Sequence, residues 1–80
     1  MRLPRDLSGA QLIRALGRIG YRVSRQTGSH VRLTCDAPSQ HHVTVPRHDP
    51  LRIETLASII DAVAVAWGVE RDELLHRLFD

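Results

Sequence analysis

Three short runs of alternating apolar and polar residues, set between stripes of helical spacing, fix most of what this chain can become. Tyr21 to Gln26 places Tyr21 and Val23 on one side of a strand and Arg22 and Ser24 on the other. Thr27-Gly28 then supplies a turn. In the run from Ser29 to Cys35, His30, Arg32 and Thr34 share one face, while Val31, Leu33 and Cys35 share the other, apolar one. The polar, proline-bearing loop Asp36-Ala37-Pro38-Ser39-Gln40 leads to a third alternating run, His42 to Val45, which Pro46 ends. Short connections between consecutive alternating runs predict an antiparallel meander.

The flanking segments carry the helices. Ser8 with Gln11 three positions later is a capping-box pair, and Leu12, Ala15, Leu16 and Ile19 follow on one helical face until Gly20. After the turn-rich Arg47-His48-Asp49-Pro50, an apolar stripe of Leu56, Ile59, Ile60, Val63 and Trp67 runs to Gly68. Leu74, Leu75 and Leu78 then mark a short last helix, with Asp72 and Glu73 favourably placed at its start. The expected fold is therefore α+β: a three-stranded antiparallel sheet with helices packed on one face, in the order α-β-β-β-α-α. Tyr21, Val23, Val31, Leu33, Val43 and Val45 are expected to pack against Leu12, Leu16, Ile60 and Val63. The other face would display Arg22, His30, Arg32, His42 and Thr44.

At 80 residues the chain is expected to form one domain spanning positions 1–80. No segment approaches the roughly 18 apolar residues of a membrane span, and the start, Met1 to Asp6, lacks the apolar stretch of a secretory signal. A lone Cys35 forms no internal disulfide, so the expected compartment is the cytoplasm, with no membrane partner. All eleven basic residues are arginine, whose guanidinium groups pair bidentately with phosphate. The net charge of +2 is modest, however, and a coding bias toward arginine explains the same count.

Three strands and a helical layer enclose no sizeable pocket, so a small-molecule enzyme is not expected, nor a small-molecule cofactor. A polymer lying across the open sheet face fits better. The run Gly28-Ser29-His30-Val31-Arg32-Leu33 puts a titratable imidazole at a turn-to-strand junction with a guanidinium two residues on, suited to acid/base chemistry at a phosphate. His42 is expected on the same face as a second candidate, or as a surface contact without chemistry. Although His41, His42, His48 and Cys35 are metal-ligand types, adjacent strand histidines point to opposite faces and no CxxC or HExxH spacing occurs; no metal site is expected. Trp67 belongs to the core stripe rather than to a base-stacking platform, and three aromatic residues are few for stacking single strands. His76 is expected as a solvated or partly buried helix residue.

These segments together resemble the HicA family of toxins. The resemblance lies in Leu3-Pro4-Arg5-Asp6-Leu7-Ser8-Gly9, in Leu16 through Gly20-Tyr21, and in Gln26-Thr27-Gly28-Ser29-His30. It continues in His42-Val43-Thr44-Val45-Pro46-Arg47-His48, in Thr55-Leu56-Ala57-Ser58-Ile59-Ile60 and in Gly68-Val69, and so covers nearly the whole chain. It implies a fold similar to the double-stranded-RNA-binding domain and the toxin of a type II toxin–antitoxin pair. It further implies a metal-independent mRNA interferase, held inactive by a HicB-type antitoxin, with the histidine of the Gly-Ser-His motif, His30, as general acid/base. Arg22, Ser29, Arg32, His42 and Arg47 are the accompanying RNA-binding candidates, placed by strand geometry. One departure is Glu54, where the family often has glycine before the Thr-Leu pair; a carboxylate there caps the helix or repels phosphates. A non-catalytic RNA- or protein-binding module of the same fold is the alternative reading.

Overall fold

The structure, a computed structural model, describes residues 2–80. Its elements run α1 (Gly9–Arg18), β1 (Arg22–Thr27), β2 (His30–Cys35), β3 (His41–Pro46), α2 (Ile53–Trp67) and α3 (Arg71–Phe79). The strands form one antiparallel sheet in the order β1-β2-β3. The architecture is the expected α+β arrangement, with the helices on one face and the other face open.

The local causes of each element are visible. The Ser8 side chain accepts from the Gln11 backbone N–H while Gln11 Oε1 accepts from the Ser8 N–H, which satisfies two donors that α1 itself leaves orphaned. Leu12, Ala15 and Leu16 of α1 face a core completed by Val31, Leu33, Val43 and Val45 from the sheet and by Leu56, Ile60, Val63, Leu74, Leu75 and Leu78 from the later helices. Gly68 ends α2 in the left-handed region at φ 67°. Glu54 lies in the first turn of α2, where a carboxylate is favourable, and Arg52 is the N-cap without a side-chain capping bond; the helix starts undisturbed.

Two contacts tie the strand layer to the helices. Trp67 Nε1 donates to the Tyr21 hydroxyl at 2.9 Å, and that hydroxyl lies 2.6 Å from His41 Nε2. His41 Nδ1 donates to the Ser39 carbonyl at 2.7 Å, so in the neutral ring Nε2 is the acceptor of the tyrosine proton. Burial, more than any other cause, raises the Tyr21 pKa above its ordinary value. Trp67 is thus a partly buried anchor of the core, as its place in the stripe predicts. At the other end, the Gly9 N–H donates to the His48 carbonyl at 2.8 Å, and a Cβ on Gly9 would collide with the Pro46 carbonyl oxygen. Only glycine lets the start of α1 approach the end of β3 this closely.

β1 departs from expectation. All six of its residues are exposed, and Val23, expected in the core, is 55% exposed. The reason is that α1 and α2 both pack toward β3, so β1 overhangs the helical layer. The strand also begins one residue later than the alternation suggests, with buried Tyr21 preceding it.

Candidate functional site

The β1–β2 hairpin builds the site. Thr27 and His30 form its last cross-strand pair, and Gly28 and Ser29 make the two-residue loop between them. Gly28 has φ 58° at the first loop position, the glycine position of a type II′ turn. Ser29 therefore lies in the turn rather than in the strand, and its carbonyl accepts from the Arg47 N–H at 2.7 Å. This bond joins the hairpin tip to the end of β3, where His30 is paired with Pro46. His30 is exposed on the open face, and no hydrogen bond or ion pair from the described residues engages its imidazole.

Register then sets out the open face in rows. Thr27, His30 and Pro46 form the first; Arg25, Arg32 and Thr44 the second; Arg22, Thr34 and His42 the third. Arg25 is a residue that strict alternation misses. The pairing shifts between Val23 and Arg25, leaving Ser24 as the extra residue of a β-bulge. The bulge turns Arg25 onto the face of Arg32, whereas unbroken alternation from Arg22 would have sent it to the face of Val23. No residue in this strand marks a bulge in advance; the high local density of arginine was the available signal. Neither Arg25 nor Arg32 has a carboxylate partner among the described residues, so both guanidinium groups are available.

The remaining arginines differ in their surroundings. Arg22 is on the open face as expected, yet its Nη1 is 2.9 Å from Asp36 Oδ2. Gln40 first, and Arg22 second, hold the Asp36 carboxyl below its ordinary pKa. The pair is more than half exposed, so it competes weakly with a phosphate. Arg47 follows β3 and, with Ala10, Ile13, Arg14, Val23, Gln26 and Val31, lines a shallow groove on the helical side beneath overhanging β1. The structure thus gathers Arg22, Arg25, Arg32, His30 and His42 on one face and places Arg47 round the edge of the sheet from them.

His42 and His41 point to opposite faces, as adjacent strand residues must: His41 bonds Tyr21 on the helical side, and His42 bonds Thr34 on the open side. Along β2, His30 and Thr34, the cross-strand partner of His42, are four residues apart, or about 13 Å at ~3.3 Å per residue. Two imidazoles at that separation cannot serve as base and acid at one phosphodiester. Of the two exposed imidazoles on the open face, His42 is held by Thr34, and His30 alone has no hydrogen-bond partner among the described residues, one row from the unpaired Arg25 and Arg32 guanidinium groups.

The sequence model of the family described as HicA toxin of bacterial toxin-antitoxin matches residues 9–64, from the start of α1 to near the end of α2. No curated protein and no solved structure matches the chain. Because the matched span takes in the whole sheet and the hairpin that carries His30, the chain belongs to the HicA toxin family of bacterial toxin–antitoxin systems.

Proposed function

We propose that this toxin is an endoribonuclease acting on mRNA, an mRNA interferase of the cytoplasm, whose activity is suppressed by a HicB-type antitoxin. The observation that carries the reading is the exposed, unpartnered His30 one row from the Arg25–Arg32 pair on an open polar sheet face. In the reaction, the neutral His30 imidazole takes the proton of a ribose 2′-hydroxyl. The 2′-oxygen attacks the adjacent phosphorus, the bond from phosphorus to the 5′-oxygen breaks, and the proton held on His30 or on water passes to that leaving oxygen. The products are a 2′,3′-cyclic phosphate and a free 5′-hydroxyl. Charge developing on the phosphorane is met by Arg32 and Arg25, and Arg22 and Arg47 contact flanking phosphates. Ser29 supports this by holding the hairpin tip against the Arg47 backbone.

One general acid/base contributes about 10² to 10⁴ in rate, so a single histidine makes a slow nuclease. Slow turnover on messenger RNA is sufficient to arrest growth. The reading is tested by inducing wild type and His30→Ala in a host lacking the antitoxin while following growth and total mRNA. Arrest with mRNA loss in wild type alone supports it. Equal arrest by both proteins places the chemistry elsewhere, and two soluble, folded, harmless proteins favour a binding module.

A further inference from the structure

The most completely ordered polar chain on the open face does not involve His30. Thr34 belongs to that face by register yet is only 2% exposed, because Ser24 and His42 close over its hydroxyl. His42 Nδ1 is 2.8 Å from Thr34 Oγ1, Thr34 Oγ1 is 2.7 Å from Ser24 Oγ, and Ser24 Oγ is 3.2 Å from the Arg32 carbonyl oxygen. The end of this chain fixes its direction. A carbonyl only accepts, so Ser24 gives it the single hydroxyl proton it has. Ser24 Oγ then accepts from Thr34, whose own proton is thereby used. Nδ1 of His42 must be the donor to Thr34, and the neutral ring carries its lone pair on Nε2. Among the described residues nothing takes that lone pair, and His42 is exposed. The β-bulge is essential to this arrangement, since it sets the extra residue, Ser24, over Thr34.

We propose that His42 Nε2 is a hydrogen-bond acceptor for a ribose 2′-hydroxyl of the bound strand, at a nucleotide beyond the scissile one, with Thr34 and Ser24 as the residues that position it. The proposal rests on the RNA reading given above. A neutral acceptor repels phosphate oxygens, which also only accept, so the group it meets is a donor. A strand running from His30 toward His42 crosses the Arg25–Arg32–Thr44 row, where its phosphates are held, and the sugar that follows presents a 2′-hydroxyl whatever the base. DNA has no such donor. His42 therefore selects ribose over deoxyribose, and it does so away from the chemistry, about 13 Å along the sheet from His30.

The test uses His30→Ala protein, which leaves the ligand uncut, with fluorescent oligouridylate and oligodeoxyuridylate of equal length. The parent protein binds the ribo-oligomer more tightly. Adding His42→Ala weakens ribo-oligomer binding by about 3- to 10-fold, the worth of one net hydrogen bond, and leaves deoxy binding unchanged. His42→Gln, whose amide oxygen can occupy the Nε2 position, restores part of the preference. Ser24→Ala lowers the preference as well, because Thr34 is then free to donate to Nδ1 and move the ring proton to Nε2; Ser24 is exposed, so folding is not at stake. Equal losses on both oligomers, or a preference that survives His42→Ala, overturn the proposal while leaving the nuclease reading intact. Failure of the parent protein to bind the ribo-oligomer at all removes the RNA reading itself, and this proposal with it.

Discussion

Arg25 and Arg32 face each other across β1 and β2 on the open side of the sheet, because the extra residue Ser24 shifts the register between Val23 and Arg25. Two like charges directly opposite are unfavourable for the sheet, and with no carboxylate among the described residues paired to either, the arrangement favours a bound anion. Arg25→Ala and Arg32→Ala should each weaken RNA binding irrespective of sequence. Each should also reduce the slope of log K against log salt by about 0.7, the value per phosphate contact on a single strand. Arg77→Ala, on α3 and paired with Glu73, should leave the slope unchanged. Titrations at several salt concentrations read this directly, and unaltered slopes for both sheet variants would exclude a phosphate role.

Gly9→Ala should destabilise the protein. The added methyl meets the Pro46 carbonyl and the Arg47 Cα, which are backbone atoms that cannot swing aside. Overpacking of this kind costs about 1–3 kcal/mol, and denaturant unfolding measures it. The strain falls on the segment that joins β3 to the hairpin tip, so Gly9→Ala should also reduce RNA cleavage.

Tyr21→Phe should cost about 1–3 kcal/mol, since Trp67 Nε1 and His41 Nε2 both lose their shared partner at the edge of the core. Near-ultraviolet spectra of Trp67 should report the change alongside thermal unfolding. A variant as stable as wild type would mean that water substitutes fully for the hydroxyl.

Stability should fall as pH drops below the ordinary aspartate value of about 3.9. Asp61 is held below that value chiefly by its hydrogen bonds to Arg71, which engage both carboxylate oxygens at 2.8 Å, and Asp36 by Gln40 and Arg22. A depressed carboxyl stabilises the folded state above its unfolded pKa, and that contribution is lost as pH falls through the folded one. Asp61→Asn should therefore flatten the acid limb of a melting temperature against pH curve. An unchanged limb would show that the α2–α3 ion pair is silent in solution.

The elements were legible in the chain because each had a local physical signal: the capping box at Ser8 and Gln11, the turn glycine at Gly28, the left-handed stop at Gly68, the alternation of β2 and β3. What alternation could not show was the bulge, since an inserted residue looks like any other until its pairing partner is known. Arg25 was missed for that reason, and Val23 was expected in the core because no local signal reveals that the helices crowd toward β3. The exposure of His30 was legible, as it depends only on the phase of β2. The separation of His30 from His42 was not, because it depends on which residue of β2 stands opposite His42.

The central claim is that His30 is the acid/base group of an RNA-cleaving site. The most direct measurement is cleavage of a defined RNA by the purified toxin and by His30→Ala, with the product ends identified by mass. The account predicts 2′,3′-cyclic phosphate and 5′-hydroxyl ends from wild type. It predicts a loss of about 10² to 10⁴ in rate for His30→Ala. The stability of that variant should lie within about 0.5 kcal/mol of wild type, because the side chain is exposed. Cleavage at an undiminished rate by the folded variant, or products with 5′-phosphate ends, would contradict it.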